Sequence, residues 1–216
     1  MRALAAEFLG TALLLATIVG SGIMGEALAG GQVGAALLPH ALAIGAMLFV
    51  LITLFGPISG AHFNPAVTMV FTIRGEVAPR TAPLYVGAQI TGALIGAWTA
   101  HLMFDLAILQ EGTKVRTGPG QWVAEGVATF GLVMVILAGL RVNRALIPAL
   151  VGAYIFAGLW FTASTSFANP AVTLARMLTD TFTAIRPLDV PGFIAAQLVG
   201  ALLAMPVAGY LWPGDD

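Results

Sequence analysis

Cysteine is missing from the chain altogether. Its absence excludes disulfides, thiolate metal sites and thiol chemistry, and leaves mercurials no thiol to modify. Charge is nearly as scarce. Asp, Glu, Lys and Arg make up 9% of the 216 residues, where a water-soluble domain carries about a quarter. The net charge is -1 and no run of one sign stands out, so nucleic acid and strongly anionic partners are not expected. The three histidines, His40, His62 and His101, are scattered, and their spacing supports no metal site and calls for no cofactor. What fills the chain instead is apolar: 59% of residues are hydrophobic, with mean hydropathy +0.95. Several runs reach the roughly 20 residues a helix needs to cross a bilayer. The class is a polytopic, all-α membrane protein.

Spanning helices are predicted at about 3–24, 34–55, 79–104, 121–140, 145–163 and 190–212. The opening MRALAAEFLGTALLLATIVGSG resembles a signal peptide, but Glu7 early in its apolar run argues for a first spanning helix. Six spans place both termini on one side. Counting basic residues puts Arg2, Arg74, Arg80, Arg141 and Arg144 on the terminal side and Lys114, Arg116, Arg176 and Arg186 opposite. The positive-inside rule then favours cytoplasmic termini by a narrow margin. With no targeting signal, the expected location is the inner or plasma membrane.

The two halves of the chain resemble each other. Glu7 in EFLGT matches Glu125 in EGVAT, NPAVT at 64–68 matches NPAVT at 169–173, and Gln89 in AQITGAL matches Gln197 in AQLVGAL. The order is the same in each half. A single channel domain over 1–216 is expected, with repeats at about 1–108 and 119–216. Three spans per repeat turn the second copy upside down, which is the signature of an inverted repeat around a central site.

An Asn-Pro pair at membrane depth needs a reason, because irregular backbone is tolerated there only when packed in protein or lining a wet cavity. Asn is a favoured N-cap and Pro a favoured first helical residue. Each motif, Asn64-Pro65-Ala66 and Asn169-Pro170-Ala171, therefore reads as the start of a short helix fed by a loop. Inversion brings the two starts together near the midplane, where helix dipoles oppose cations. The Asn64 and Asn169 amides would donate to passing solutes. The carbonyls of Gly60, Ala61, His62 and Phe63, and of Thr165, Ser166, Phe167 and Ala168, would accept from them. Such a path suits small neutral hydrogen-bonding solutes.

These pieces, AEFLGT, SGAHFNPAVT, AQITGA, AEGVAT, the second NPA and AQLVGA, resemble the aquaporins of the major intrinsic protein family over essentially the whole chain. The resemblance implies six spanning helices, two re-entrant half-helices, one pore per subunit and a homotetramer in membrane lipid. It also implies passive conduction of water, glycerol or other small neutral solutes. Carried over by spacing from the two motifs, the family's constriction falls on Ile44, Ala157, Ser166 and Val172. Water-selective members resemble each other in an aromatic, a His, a small residue and an Arg there, and this chain departs by having no aromatic, His or Arg. A wide, arginine-free constriction is expected, passing glycerol, urea, ammonia and metalloid hydroxides such as arsenous acid. A water-selective aquaporin is the alternative.

Arg176 lies four residues past Val172, on the same helical face about 6 Å further along. Two readings stay open: it snorkels to the interface or pairs with Asp180, or it turns back to line a vestibule. Glu7 and Glu125 are intramembrane acids and so candidates for function. The resemblance implies that they tie down the loops by accepting backbone N–H bonds, with Gln89 and Gln197 capping other loop groups or lining the path. His62 precedes the first Asn and is either a loop-fixing hydrogen bonder or a pH gate. Gly92 and Gly96 permit close helix contact. A secondary transporter would share the inverted repeat, but would need a path-facing charge. A closed structural protein and an intramembrane enzyme are further alternatives. No Ser/His/acid constellation supports the enzyme.

Overall fold

The computed structural model describes residues 1–213. Among the described residues there are eight α-helices and no strand. The long ones are α1 (Arg2–Leu28), α2 (Val33–Ser59), α4 (Ala82–Met103), α5 (Pro119–Val142), α6 (Ile147–Phe161) and α8 (Val190–Leu211). A 3-10 turn, Arg144–Leu146, leads into α6, and another, Pro187–Asp189, into α8. The short ones are α3 (Pro65–Ile73) and α7 (Pro170–Arg176), each beginning at the Pro of an Asn-Pro pair. Against the sequence expectation, α1 runs four residues longer at its C-terminal end and α2 four residues longer at its own. The half-helix after Asn169 is shorter, because the chain turns after Arg176.

Among the described residues five helical segments are long and apolar enough to cross a membrane: Arg2–Leu28, Val33–Ser59, Pro119–Val142, Arg144–Phe161 and Pro187–Leu211. The sixth span, α4, has 22 residues, about 33 Å of helix. Gln89, Thr91, Thr99 and His101 dilute its hydropathy. Leu9, Leu13, Leu42, Phe49, Leu54, Leu84 and Leu203 are exposed around the outside, as a lipid-facing surface requires.

The packing follows the inverted repeat. The most extensive contacts are α1 with α4 and, in the matching place, α5 with α8. Helix α2 meets α6 across the halves, α4 packs on α7, and α3 packs on α8. Small residues make the close approaches. A Cβ at Gly92 would run into the Phe8 carbonyl of α1, and one at Gly200 into the Gly126 carbonyl of α5. Gly45 of α2 and Gly152 of α6 press on each other's carbonyls at the crossing between halves.

Candidate functional site

The site is built on two re-entrant loops that meet head to head. Asn64 is extended (φ -154) and its Oδ1 accepts from Ala66 N at 2.9 Å, capping α3. Asn169 (φ -157) does the same for α7, accepting from Ala171 N at 2.9 Å and Val172 N at 3.4 Å. Each amide also reaches across the pseudo-twofold. Asn64 Nδ2 donates to the Ala168 carbonyl at 2.7 Å, and Asn169 Nδ2 donates to the Phe63 carbonyl at 2.7 Å. An amide carries two N–H groups, so each Asn keeps one for the cavity. Two of the expected path carbonyls, those of Phe63 and Ala168, are already engaged by the facing Asn.

The loops before the motifs are strained in matching places. Gly60, Ala61 and Phe63 have φ of 87, 51 and 49, and Thr165, Ser166 and Ala168 have 62, 49 and 48. Five of these six are not glycine, so the left-handed conformation must be imposed by the surroundings. Two fully buried carboxylates impose it. Glu7 accepts from Ser59 Oγ (2.6 Å), His62 N (3.0 Å), Phe63 N (2.7 Å) and Gln89 Nε2 (2.8 Å). Glu125 accepts from Phe167 N (2.8 Å), Ala168 N (2.9 Å) and Gln197 Nε2 (2.6 Å). Gln89 and Gln197 also donate to Thr68 and Thr173, which in turn hold the carbonyls of Asn64 and Asn169.

A cavity of about 100 Å³ runs along the two motifs. All eight loop residues, 60–63 and 165–168, line it together with Asn64 and Asn169. Its walls are apolar and paired by the repeat: Leu14 with Leu132, Ile18 with Ile136, Val67 with Val172. Of the four residues expected at the constriction, Ile44, Ser166 and Val172 line the cavity. Ala157 does not; it lies on the exposed side of α6. The α6 residues that face the cavity are Ile147, Val151, Ile155 and Leu159. The reason is helical phase. Each residue turns the helix by about 100°, and a count back from Asn169 crosses the non-helical stretch 162–169, whose length sets the register. Ile155 and Leu159, one turn apart and on either side of Ala157 in the sequence, face the cavity where Ala157 does not.

Arg176 neither snorkels nor pairs with Asp180. It is 4% exposed, borders the cavity, donates Nε to the Thr183 carbonyl, and lays its guanidinium against the Phe167 ring, 3.3 Å from the centroid. Asp180 is occupied by Thr113, through N and Oγ1. A second arginine, Arg116, reaches the same ring from the 104–118 loop, with its guanidinium carbon 4.9 Å from the centroid. It donates to the carbonyls of Ala184 (2.8 Å) and Ser164 (3.0 Å). Burial lowers the Arg116 pKa to about 10, which still leaves a cation at neutral pH. Burial also lowers that of nearby Lys114, as do the neighbouring guanidiniums. Sequence reasoning saw Arg116 only as a loop charge; nothing local marks it, because its partners are backbone carbonyls 48 to 68 residues away.

At the opposite mouth, His62 lies 4.7 Å from the Phe71 ring and 5.6 Å from Tyr85, with Nδ1 3.1 Å from Thr68 Oγ1. His40 and His101 serve the scaffold. His40 Nδ1 is 2.8 Å from Ser21 Oγ, and His101 ties the Ile108 carbonyl to Thr179 Oγ1, each at 2.8 Å. Among the described residues no group of His, Asp and Glu side chains could hold a metal ion.

Comparison with known proteins agrees with this geometry. The model of the family described as major intrinsic protein matches residues 1–166. Aquaglyceroporin AqpS of Rhizobium meliloti (strain 1021) is 56% identical over 210 residues, covering 97% of this chain and 90% of that one. Aquaporin-5 of Rattus norvegicus is 30% identical over 229 aligned positions, covering 97% and 80%. Among solved structures, the aquaglyceroporin of Plasmodium falciparum superimposes with a TM-score of 0.72 over 98% of this chain and 97% of that one, at 22% identity, a likeness of fold.

Proposed function

The chain belongs to the major intrinsic protein family, and from that premise we propose a passive channel for glycerol, urea and metalloid hydroxides such as arsenous acid, with water, through an arginine-free constriction. The protein is a multi-pass membrane channel for small solutes, not an enzyme. The observation that carries the finer reading is Val172. It stands three residues after Asn169, where water-selective relatives carry an arginine, and it borders the cavity beside Ile44 and Ser166. An aliphatic side chain there leaves room and removes a charge, so solutes larger than water are admitted. The free N–H of each motif Asn supplies hydrogen bonds along an otherwise apolar path, while the Ser166 hydroxyl is turned onto Gly158 of α6. The similarity to a protein named an aquaglyceroporin supports the same reading.

Arg176 acts in this proposal as the vestibule cation, displaced one turn from the constriction and still opposing cation entry. Glu7 and Glu125 act as anchors. Both are fully buried on the loops and neither lines the cavity, which weighs against a secondary transporter. The chain forms one channel unit, with repeats over about 1–108 and 119–216. Residues 214–216 of the second lie outside the described residues. It assembles as a homotetramer in the inner or plasma membrane with both termini cytoplasmic. Stopped-flow shrinkage of proteoliposomes in water, glycerol, urea, ammonia and arsenite tests the solute range. Fast water flux with none of the other solutes would return the protein to the water-selective class.

A further inference from the structure

The Arg176 mouth gathers three cations that no carboxylate of the described residues pairs with directly. Arg176 and Arg116 are 4% and 7% exposed, and both guanidiniums lie against Phe167. Among the described residues their side chains bond only to carbonyl oxygens, those of Thr183, Ala184 and Ser164. Lys114 joins them through the Phe182 carbonyl at 3.0 Å. Among the described residues only two ion pairs form, Arg74–Glu76 and Arg186–Asp189, and neither includes these three cations. The nearby carboxylates are committed elsewhere: Asp180 to Thr113, Asp189 to the Arg116 backbone N–H and to Arg186, and Glu125 to its loop. Among the described residues Arg176 uses one of its five N–H donors, and both terminal nitrogens have no partner there, at the edge of the cavity.

Glu125 offsets part of this charge from a distance, but a buried guanidinium whose N–H donors are left unfilled is unfavourable unless something completes it. We propose that the Arg176 mouth is a binding site for a small monovalent oxyanion, a carboxylate or sulfonate head, held by the free edge of the Arg176 guanidinium and drawn in by Arg116 and Lys114. The planar fork matches two oxygens on one centre. The anion docks there without crossing. Beyond Arg176 the walls are Val172, Ile44, Leu132 and Leu14, and an ion entering them would lose its hydration with little in return. A docked anion therefore stands in the way of neutral solutes and lowers their flux.

Two measurements test this, and only the second depends on the channel reading. In detergent, acetate and methanesulfonate are expected to raise the unfolding midpoint saturably over sodium chloride at equal ionic strength. Methanesulfonate stays ionised and so does not cross as its neutral acid. Arg176→Gln is expected to lose the shift. Arg176→Lys, which keeps the charge without the fork, should retain part of it. Arg141→Gln, on the exposed end of α5, should keep all of it. In proteoliposomes, methanesulfonate at its dissociation constant should about halve glycerol flux. No shift over chloride in the wild type, or an equal shift in a folded Arg176→Gln, overturns the site. Unchanged flux at an anion concentration that saturates the shift overturns the occlusion. An Arg176-dependent shift in a protein without glycerol flux keeps the site and overturns the channel reading.

Discussion

At residue 62 the first re-entrant loop carries a histidine whose ring lies 4.7 Å from Phe71; at the matching place in the second loop, Phe167 lies 3.3 Å from the Arg176 guanidinium carbon. Phe71 and Arg176 are both seven residues past the motif Asn, so the two pairs occupy equivalent positions. The hydrogen-bonded chain beneath them is duplicated. Each loop has a buried glutamate on its backbone N–H groups, a glutamine on the glutamate, a threonine on the glutamine and an asparagine reaching across to the other loop. The tips differ most: an imidazole over a phenyl ring at one mouth, a phenyl ring over a guanidinium at the other. The backbone support has to be symmetric because both loops are strained in the same way. The chemistry facing solute is free to diverge, because it carries none of that strain.

The support is where the largest effects are expected. Replacing Glu7 by Gln puts an NH2 group among N–H donors and orphans at least one of four bonds; Glu125→Gln does this with three. Each is expected to destabilise by about 3 kcal/mol or more, with Glu7→Gln the worse. Unfolding midpoints in one detergent check the order, and equal midpoints would mean that the extra Ser59 bond contributes nothing. Helix contacts come next. Gly92→Ala and Gly200→Ala each press a methyl on a facing carbonyl, which should cost about 1–3 kcal/mol. Gly96→Ala meets the Ala12 carbonyl in the same way, whereas the corresponding place in the second half is already occupied by a methyl, that of Ala204. Loss of stability in Gly92→Ala without a comparable loss in Gly200→Ala would show that the two helix pairs are not packed alike.

Legibility in the sequence divides along the same line. The duplicated part was readable because it repeats: NPAVT twice, a glutamate before and a glutamine after each. Apolar length placed the six spans to within a few residues, and Asn-Pro chemistry placed the starts of α3 and α7. What was not readable lies where the chain leaves helical phase or where partners are remote. Counting back from Asn169 across eight non-helical residues selected Ala157, and the cavity instead takes Ile155 and Leu159. Arg116 reaches Phe167 from a loop 51 residues earlier in the chain. The orientation of Arg176 was open because a helix face is shared by snorkelling and inward-turning side chains. The repeat held the signal that decides it: Phe71, at the equivalent place, is partly buried against the core and lines the cavity.

Exchanging the tips breaks the comparison directly. His62→Phe gives up the hydrogen bond to Thr68 and keeps an aromatic ring against Phe71 and Tyr85, a loss of about 1 kcal/mol. Phe167→His places a polar ring against two guanidiniums and weakens both cation–π contacts, together about 2 kcal/mol. The expected order of unfolding midpoints is wild type, His62→Phe, Phe167→His. The reverse order would show that Phe167 is held by Phe193, its neighbour at 5.1 Å, and not by the arginines.

The smallest effects fall at the first strained position of each loop, and there the two halves should respond with opposite signs. Gly60 has φ of 87, which glycine adopts freely, and Thr165 has φ of 62, which a β-branched residue resists. Gly60→Ala adds left-handed strain of about 1 kcal/mol. It also sets a Cβ 3.1 Å from His62 Nε2, which can swing only by loosening its contacts with Phe71 and Tyr85. Thr165→Gly removes strain of about 1–2 kcal/mol and adds about 0.5–1 kcal/mol of unfolded-chain entropy. The net is a gain of about 0.5 kcal/mol, seen as a slightly raised unfolding midpoint beside a lowered one for Gly60→Ala. A fall in both would mean that the Thr165 side chain contributes more through its packing at the cavity wall than its backbone strain takes away.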